Sequence, residues 1–286
     1  MKRYAGWGAA LLTLGAVSVS PGARASGIPG AVIAPHEYDL PLNFAPIGEF
    51  VEYGYANDDN RSDALSGATA SGPGGETFEG LSKLAYLAPL GEHLGYELEA
   101  LIPLVKLAGR APSSFGMGDP IFAPVIWFKP TGNTTLGADV LVQPAWGDRR
   151  FTANELIVTP TLFYDGNWRG LNLDGDIGLS FPSGPTHEIA GIQRPGKTLY
   201  SNVRLAYALS PHWSPFVSVD WQVTRRGSDA LGKPVDGSRS RELAAGAGAM
   251  WQPNSVSSLA VSYSHTLSGA NIIQTSALYF RYVYSW

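Results

Sequence analysis

The chain has 286 residues, of which 15% are charged, and its formal net charge is −4 at pH 7. This slight acidity argues against a nucleic-acid partner, which would require a basic patch or stripe. Because the chain contains no cysteine, it cannot form a disulfide framework, a thiol nucleophile or a thiolate metal site.

Residues 1–25 have the parts of a secretory signal peptide. Lys2 and Arg3 give a positively charged start, and an apolar stretch follows. Small residues at Ala23 and Ala25 then fit a cleavage site near Ala25. An N-terminal membrane anchor is the alternative, but the apolar stretch falls short of the ~20 residues that a spanning helix needs. The sequence therefore predicts an exported protein.

Residues 26–44 contain Pro29, Pro35 and Pro41 and show no clean alternation of apolar and polar residues. This composition predicts an irregular segment, because proline interrupts both helices and sheets. The segment either stays in the periplasm or folds into the mouth of the barrel that the following residues predict. In the second case it would act as a plug.

From residue 45 to the C-terminus the apolar residues recur with a period of two, which predicts twelve β-strands. In residues 215–225, for example, Val217, Val219 and Trp221 share one face. Each clear run has about ten residues, the length that a tilted strand needs to cross a bilayer. The other clear runs are residues 94–104, 136–146, 171–181, 199–209 and 272–286.

A soluble β-sandwich would also alternate, but two features favour a membrane barrel. The polar faces carry charges in the middle of strands, which a wet lumen allows, and the apolar faces carry aromatic residues near strand ends, as a lipid interface requires. These aromatic residues are Tyr96, Trp146, Tyr164, Tyr207 and Trp251. The prediction is an all-β fold, a twelve-stranded antiparallel transmembrane β-barrel over residues 45–286.

The predicted connections alternate between short turns and long polar loops, with both termini on the short-turn side, as in outer-membrane barrels. The short turns are residues 89–93, 129–133, 165–168, 210–212 and 252–255, and the long loops are residues 57–75, 106–115, 182–197 and 226–239. Residues 225–241 carry five basic side chains. This loop either binds anionic lipopolysaccharide headgroups or is simply solvated.

The last strand carries the sharpest signal. Leu278, Phe280, Tyr282 and Tyr284 share one face, and the chain ends on Trp286. A strand that ends at the C-terminus on an aromatic residue resembles the signal that the barrel-assembly machinery reads. An ordinary buried edge strand is the alternative for this strand taken alone.

Three short motifs connect the chain to a known family. They are Gly27-Ile28-Pro29-Gly30, Gly116-Met117-Gly118-Asp119-Pro120 and Leu179-Ser180-Phe181-Pro182-Ser183-Gly184. With the aromatic last strand, they resemble the meta-pathway phenol-degradation family of outer-membrane transporters. The resemblance spans most of the mature chain, and it implies the handling of aromatic compounds.

Charged residues on the predicted inner face are the candidate functional residues. The candidate pore-lining residues are Glu97, Glu99, Asp119, Asp139, Asp174, Asp176, Arg204, Asp220 and Arg281. The same face is expected to hold Glu52, Lys83, Glu155 and Glu242. Acidic residues dominate, so one interpretation is a pore wall that favours cations or polar solutes. The other is a network in which basic residues neutralise the carboxylates and fill a narrow lumen.

Catalytic interpretations find little support. Glu97 with Glu99, and Asp174 with Asp176, are spaced so that each pair shares a face, but nothing else supports glycosidase chemistry. His265 lacks the spacing of an outer-membrane phospholipase. The five histidines are scattered and no phosphate-binding loop is present. The sequence therefore predicts no catalytic residue, no metal and no cofactor.

The functional prediction is an outer-membrane channel for passive uptake of small compounds, including hydrophobic or aromatic ones. Its expected partners are outer-membrane lipid and lipopolysaccharide, the assembly machinery through the C-terminal strand, and the solute. One alternative is a structural or loop-presenting barrel without an open pore. The other is a lipid-modifying barrel enzyme, which would need a Ser-His pair at the outer rim.

Overall fold

A computed structural model of the chain describes residues 28–109, 113–184 and 192–286. The predicted signal peptide of residues 1–25, its cleavage site, and parts of two predicted loops lie outside the described residues. Twelve long strands are present in the described part. They are β1 Ile47–Asp58, β2 Glu76–Pro89, β3 Leu94–Ala108, β4 Ile121–Thr131, β5 Thr134–Gln143, β6 Ile157–Trp168, β7 Leu171–Pro182, β8 Thr198–Tyr207, β9 Trp213–Thr224, β10 Ser240–Asn254, β11 Ser257–Ala270 and β12 Ser276–Ser285.

Each of these strands pairs antiparallel with the next one along the chain, and β1 pairs with β12 to close the sheet. In that closing pair Val51 lies opposite Val283, and Tyr55 lies opposite Tyr279. Closure gives every strand two neighbours, so no edge is left with unpaired backbone groups. The predicted twelve-stranded antiparallel barrel is confirmed.

The two faces of the sheet follow the predicted alternation. On β12, Leu278, Phe280 and Tyr282 are exposed on the outside, whereas Tyr279 and Arg281 are buried inside. This pattern repeats around the barrel, because successive side chains of a strand point to opposite faces. The outside is therefore largely apolar, and the inside is a mixed polar and aromatic wall.

One predicted face is wrong. Glu52 was expected inside, but its neighbours Val51 and Tyr53 are buried, as are Tyr55 and Asn57 on the same face of β1. Glu52 therefore belongs to the outer face, where it accepts a hydrogen bond of 2.5 Å from the Ser82 hydroxyl. The error has a local cause, since aromatic residues occupy both faces of β1 and the apolar period is ambiguous there.

The short turns lie close to their predicted positions, with shifts of a few residues. The predicted turn at residues 165–168 belongs instead to β6, and Arg169 and Gly170 make the turn. Their φ angles are +51° and +85°, and a two-residue turn with both residues in this region matches the twist of the strands it joins. Similarly, β10 runs to Asn254, so Ser255 and Val256 connect it to β11.

The opposite end of the barrel carries the longer loops. The loop after β1 holds two short strands, Arg61–Asp63 and Thr69–Ser71, and the first pairs with Ile272–Ile273. Another short strand, Ser114–Met117, pairs with the end of β3. These pairings give the loop end of the barrel an ordered rim.

The described residues include no helix long and apolar enough to cross a membrane.

Candidate functional site

Residues 28–44, termed the lumenal segment, lie inside the barrel and contact its inner wall. Near its start, Ile28 and Ala31 pack in one apolar cluster with Tyr55, Tyr200 and Tyr279. Ala34 belongs to a second cluster that includes Phe216 and Met250. The segment therefore contacts strands from different parts of the barrel.

The end of the lumenal segment packs against a third cluster on the barrel wall. Tyr38 stacks on Phe163 with ring centroids 4.5 Å apart. Phe44 stacks near Trp127, whose indole Nε1 donates a hydrogen bond of 2.8 Å to the Pro41 carbonyl. Trp127 is 1% exposed. This large buried ring anchors the segment where it leaves the barrel toward β1.

Arg204 holds the backbone of the lumenal segment. Its Nε donates to the Ile33 carbonyl at 3.0 Å, and its Nη2 donates to the Ala31 carbonyl at 2.7 Å. Its Nη1 pairs with Asp220 at 2.7 Å. The planar guanidinium thus fixes two carbonyls and one carboxylate at once, which a lysine could not do.

Asp174 and Asp176 accept hydrogen bonds from the same segment. The Tyr38 hydroxyl donates to Asp176 at 2.8 Å, and the Tyr38 backbone N–H donates to Asp174 at 3.3 Å. Asn202 links the Pro29 carbonyl to Asp176 through hydrogen bonds of 2.9 and 2.8 Å. Two of the predicted pore-lining carboxylates therefore bind the lumenal segment through hydrogen bonds.

Glu37 is the charged side chain that the lumenal segment contributes to the centre of the barrel. Its Oε2 lies 2.9 Å from Arg281 Nε, and its Oε1 accepts a 2.7 Å hydrogen bond from the Tyr53 hydroxyl. Burial favours the neutral acid and would raise the pKa of Glu37, but the charges of Arg281 and Lys83 outweigh it and hold that pKa below its ordinary value. The geometry thus favours an ionised Glu37.

Lys83 gathers three wall carboxylates. Its Nζ lies 3.4 Å from Glu97, 3.3 Å from Glu99 and 3.8 Å from Glu49. One ammonium group therefore faces three acidic groups. The predicted neutralising network exists here only in part, because the carboxylates outnumber their cation.

Asp119 and Asp139, two further predicted pore-lining residues, have different surroundings. Asp119 accepts hydrogen bonds of 2.8 and 2.7 Å from the backbone N–H groups of Gly147 and Ala153. It therefore fastens the loop between β5 and β6 against the barrel. Asp139 faces the lumen, and its Oδ1 has no hydrogen-bond partner among the described residues.

Two cavities occupy the lumen on either side of the lumenal segment. The first, termed the loop-side cavity, has a volume of about 340 Å³ and is lined by the segment and by wall residues such as Glu79, Asp139 and Tyr200. The second, termed the turn-side cavity, has a volume of about 600 Å³ and is lined by residues such as His36 and Arg281. Glu37, Leu40 and Lys83 line both cavities. The segment therefore lies between two spaces that belong to the same lumen.

Reasoning from the sequence missed Glu37 and Tyr38, because the lumenal segment shows no period that assigns a face to its residues. The sequence does not assign Trp127 an inward role either. Polar and aromatic side chains in a short proline-rich segment after a predicted signal peptide were the available signal. Within the described part of the chain, no group of three or more His, Asp or Glu side chains could hold a metal ion.

Comparison with known proteins agrees with this fold. A family model described as "Putative MetA-pathway of phenol degradation" matches residues 59–282. The COG4313 outer membrane channel from Pseudomonas putida F1 superposes with a TM-score of 0.75 at 16% identity, covering 89% of this chain and 100% of that one. No curated protein matches the sequence.

A second solved structure has the same fold at greater distance. The CymD monoaromatic hydrocarbon channel superposes with a TM-score of 0.50 at 8% identity, covering 93% of this chain and 96% of that one. The closed barrel and its apolar outer face agree with this likeness. The protein is a β-barrel of the bacterial outer membrane.

Proposed function

The chain belongs to the phenol-degradation family whose model matches residues 59–282, and on that premise we propose that it is a channel for passive uptake of small hydrophobic or aromatic compounds. One observation carries the proposal: two cavities lie in one lumen and are separated by the lumenal segment. A solute would pass from one cavity to the other when the segment moves aside. The proposal includes no catalytic step.

The lining of the loop-side cavity supports a small, partly apolar solute. Apolar side chains such as Val32, Leu101 and Ile157 alternate there with tyrosines and carboxyl groups. A volume of about 340 Å³ lies at the lower end of small-molecule sites. CymD is a monoaromatic hydrocarbon channel, and we extend that class of solute to this chain as part of the proposal.

The lumenal segment is the proposed plug, in agreement with the expectation for residues 26–44. The proposed constriction consists of the side chains that hold the segment or line the space beside it, namely Glu97, Glu99, Asp174, Asp176, Arg204 and Arg281. Asp139 and Asp220 belong to the same lumenal wall in this proposal. The contacts of Arg204 and Asp176 with the segment support it.

By the usual orientation of such barrels, the short turns and the plug entrance face the periplasm and the long loops face outward. The C-terminal strand is the proposed contact of the assembly machinery, and its pairing with β1 at the closure supports that role. The basic loop between β9 and β10 is a proposed lipopolysaccharide contact. In that loop Arg226 pairs with Asp236 at 3.4 Å, and no ion pair among the described residues involves the other basic side chains of the loop.

A barrel without an open pore is the second candidate, and the packing of the lumenal segment favours it. The two candidates differ in solute flux. We would reconstitute the mature protein in liposomes with lipopolysaccharide in the outer leaflet and measure entry of radiolabelled benzyl alcohol. Entry above that of protein-free liposomes supports the channel. Equal entry in both preparations supports the structural barrel.

A further inference from the structure

A carboxylate lies beside two tyrosine rings on the wall of the loop-side cavity. Tyr55 on β1 lies directly opposite Glu79 on β2 and directly opposite Tyr279 on β12. All three side chains line the loop-side cavity. The rings of Tyr55 and Tyr279 have centroids 5.2 Å apart. Directly opposed residues have Cβ atoms about 5 Å apart, so Glu79 and the two rings form one continuous surface.

Acidic side chains outnumber basic ones on the wall of this cavity. Among the described residues that line it, seven are Asp or Glu, and Lys83 supplies the one ammonium group. Six of the seven carboxyl groups have partners in the protein. Glu37, Glu97 and Glu99 are paired with cations. Asp119, Asp139 and Asp176 accept hydrogen bonds from neutral donors, which for Asp139 is the Thr161 hydroxyl. Glu79 stands apart from these pairings.

Glu79 differs from the other lining carboxyl groups. Its Oε2 is shielded from solvent and has no hydrogen-bond partner among the described residues. No ion pair within the described residues involves its side chain either. A buried carboxylate without a donor or counter-charge is costly. The site therefore favours a ligand that brings a donor and a positive charge to this wall.

We propose that the loop-side cavity binds small organic cations, with an ammonium group at Glu79 and an apolar body in the rest of the cavity. The inference rests on the proposed function, since it names a class of solute for the same lumen. The faces of Tyr55 and Tyr279 stabilise the cation by the cation–π interaction. Asp139, whose Oδ1 has no partner among the described residues, is a second carboxyl group on the wall of this cavity.

This chemistry discriminates among molecules of the same size. An ammonium group provides several donors and a full positive charge, whereas a hydroxyl provides one donor and no charge. A carboxylate ligand would add an eighth acidic group to the cavity and would be repelled. Benzylamine, benzyl alcohol and benzoate share a ring and differ in the charge of one substituent, so they form a suitable probe series.

The test measures the dissociation constants of the three probes by isothermal titration calorimetry on the detergent-solubilised mature protein. We expect benzylamine, protonated at neutral pH, to bind at least about tenfold more tightly than benzyl alcohol, because a desolvated cation–π contact and an ion pair together exceed 1.4 kcal/mol. Benzoate should show no binding. Glu79→Gln should bring the amine and alcohol constants together.

The matched control is Glu52→Gln, which removes a carboxylate from the outer face of the neighbouring strand and should keep the amine preference. Because Glu79→Gln could disturb folding, Tyr279→Leu and Tyr279→Phe give a second comparison. The phenylalanine variant keeps the ring and the preference, whereas the leucine variant weakens it. An amine preference that survives Glu79→Gln, or equal binding of amine and alcohol to the unaltered protein, overturns the proposal.

This binding experiment is separate from the flux experiment on the channel. Amine-selective binding without flux of benzyl alcohol would leave the site in place and remove the transport function. Flux of benzyl alcohol without amine-selective binding would keep the channel and remove the site.

Discussion

Glu37 Oε2 lies 2.9 Å from Arg281 Nε, and this ion pair joins the lumenal segment to the last strand of the barrel. Both side chains are more than nine-tenths buried. Arg281 belongs to β12, which also closes the sheet against β1. Arg281 therefore holds the plug and also belongs to the strand that closes the barrel. Release of the plug leaves the buried charge of Arg281 on this strand without Glu37.

Glu37→Gln should favour the displaced state of the lumenal segment. Loss of one partner from a buried ion pair typically costs about 3 kcal/mol or more, which corresponds to about a hundredfold change in the docking equilibrium. Single-channel recording in planar bilayers should show more frequent openings. Asp39→Asn is the matched control, because Asp39 pairs with Lys129 at 2.8 Å while 39% of its side chain is exposed. If the two variants conduct alike, the role assigned to the Glu37 pair is wrong.

Arg204→Lys tests the contact between the wall and the segment backbone. The lysine keeps the charge opposite Asp220 but cannot reach the carbonyls of Ala31 and Ile33 as a fork. We expect a folded barrel with a higher open probability. Heat-modified migration on gels would check the barrel, and bilayer recording would check the openings. Unchanged openings in a folded variant would contradict the contact.

Gly30→Ala should displace the start of the lumenal segment. Gly30 has a φ of +75°, and a Cβ there would lie 2.7 Å from Asn202 Nδ2. The substitution therefore combines backbone strain with a clash at the wall. Gly91→Ala is the control, since Gly91 has a φ of +84° with no atom within 4 Å of a Cβ. Raised conductance in the first variant alone would support close docking, whereas no change in either would exclude it.

Acid should release the lumenal segment in two stages. Burial holds the pKa of His36 below its ordinary value of 6.5, although Asp39 opposes this. Protonation therefore favours the displaced segment once the pH falls below 6.5. Burial opposes ionisation of Glu37, but Arg281, Lys83 and the hydrogen bond from the Tyr53 hydroxyl hold the pKa of Glu37 below its ordinary value of 4.5. Its contribution to docking is complete above pH 4.5 and is lost as the pH falls through the docked pKa.

Conductance measured from pH 8 to pH 3 should therefore rise below pH 6.5 and again below pH 4.5. His36→Gln should remove the first rise and Glu37→Gln the second. A rise that persists in both variants would assign the pH response to other groups of the lumen.

The sequence predicted the barrel well because alternation has a direct physical cause. On β12 each residue contacts either lipid or lumen, so the faces of Phe280 and Arg281 can be assigned from the sequence alone. The same reasoning failed for Glu52, where Phe50 and Tyr53 make both phases of β1 plausible. The family was identified separately, from the resemblance of short glycine-containing motifs, and the family match over residues 59–282 confirms it.

The arrangement inside the barrel could not be predicted in the same way. Tyr38 contacts Asp174 across 136 residues of sequence, and no local pattern encodes such a pairing. An irregular segment with φ values in the left-handed region at Gly30, His36 and Asn43 has no period from which faces can be read. The partners of the predicted carboxylates therefore became visible only with the chain folded.

Removal of residues 28–44 from the mature protein tests the central claim most directly. The twelve strands remain, and the contacts that separate the two cavities are lost. Conductance in planar bilayers should change from rare openings to a continuously open state, with folding checked by heat-modified migration on gels. A folded deletion variant that conducts no more than the full-length protein would contradict the account, because the lumen would then not be the path.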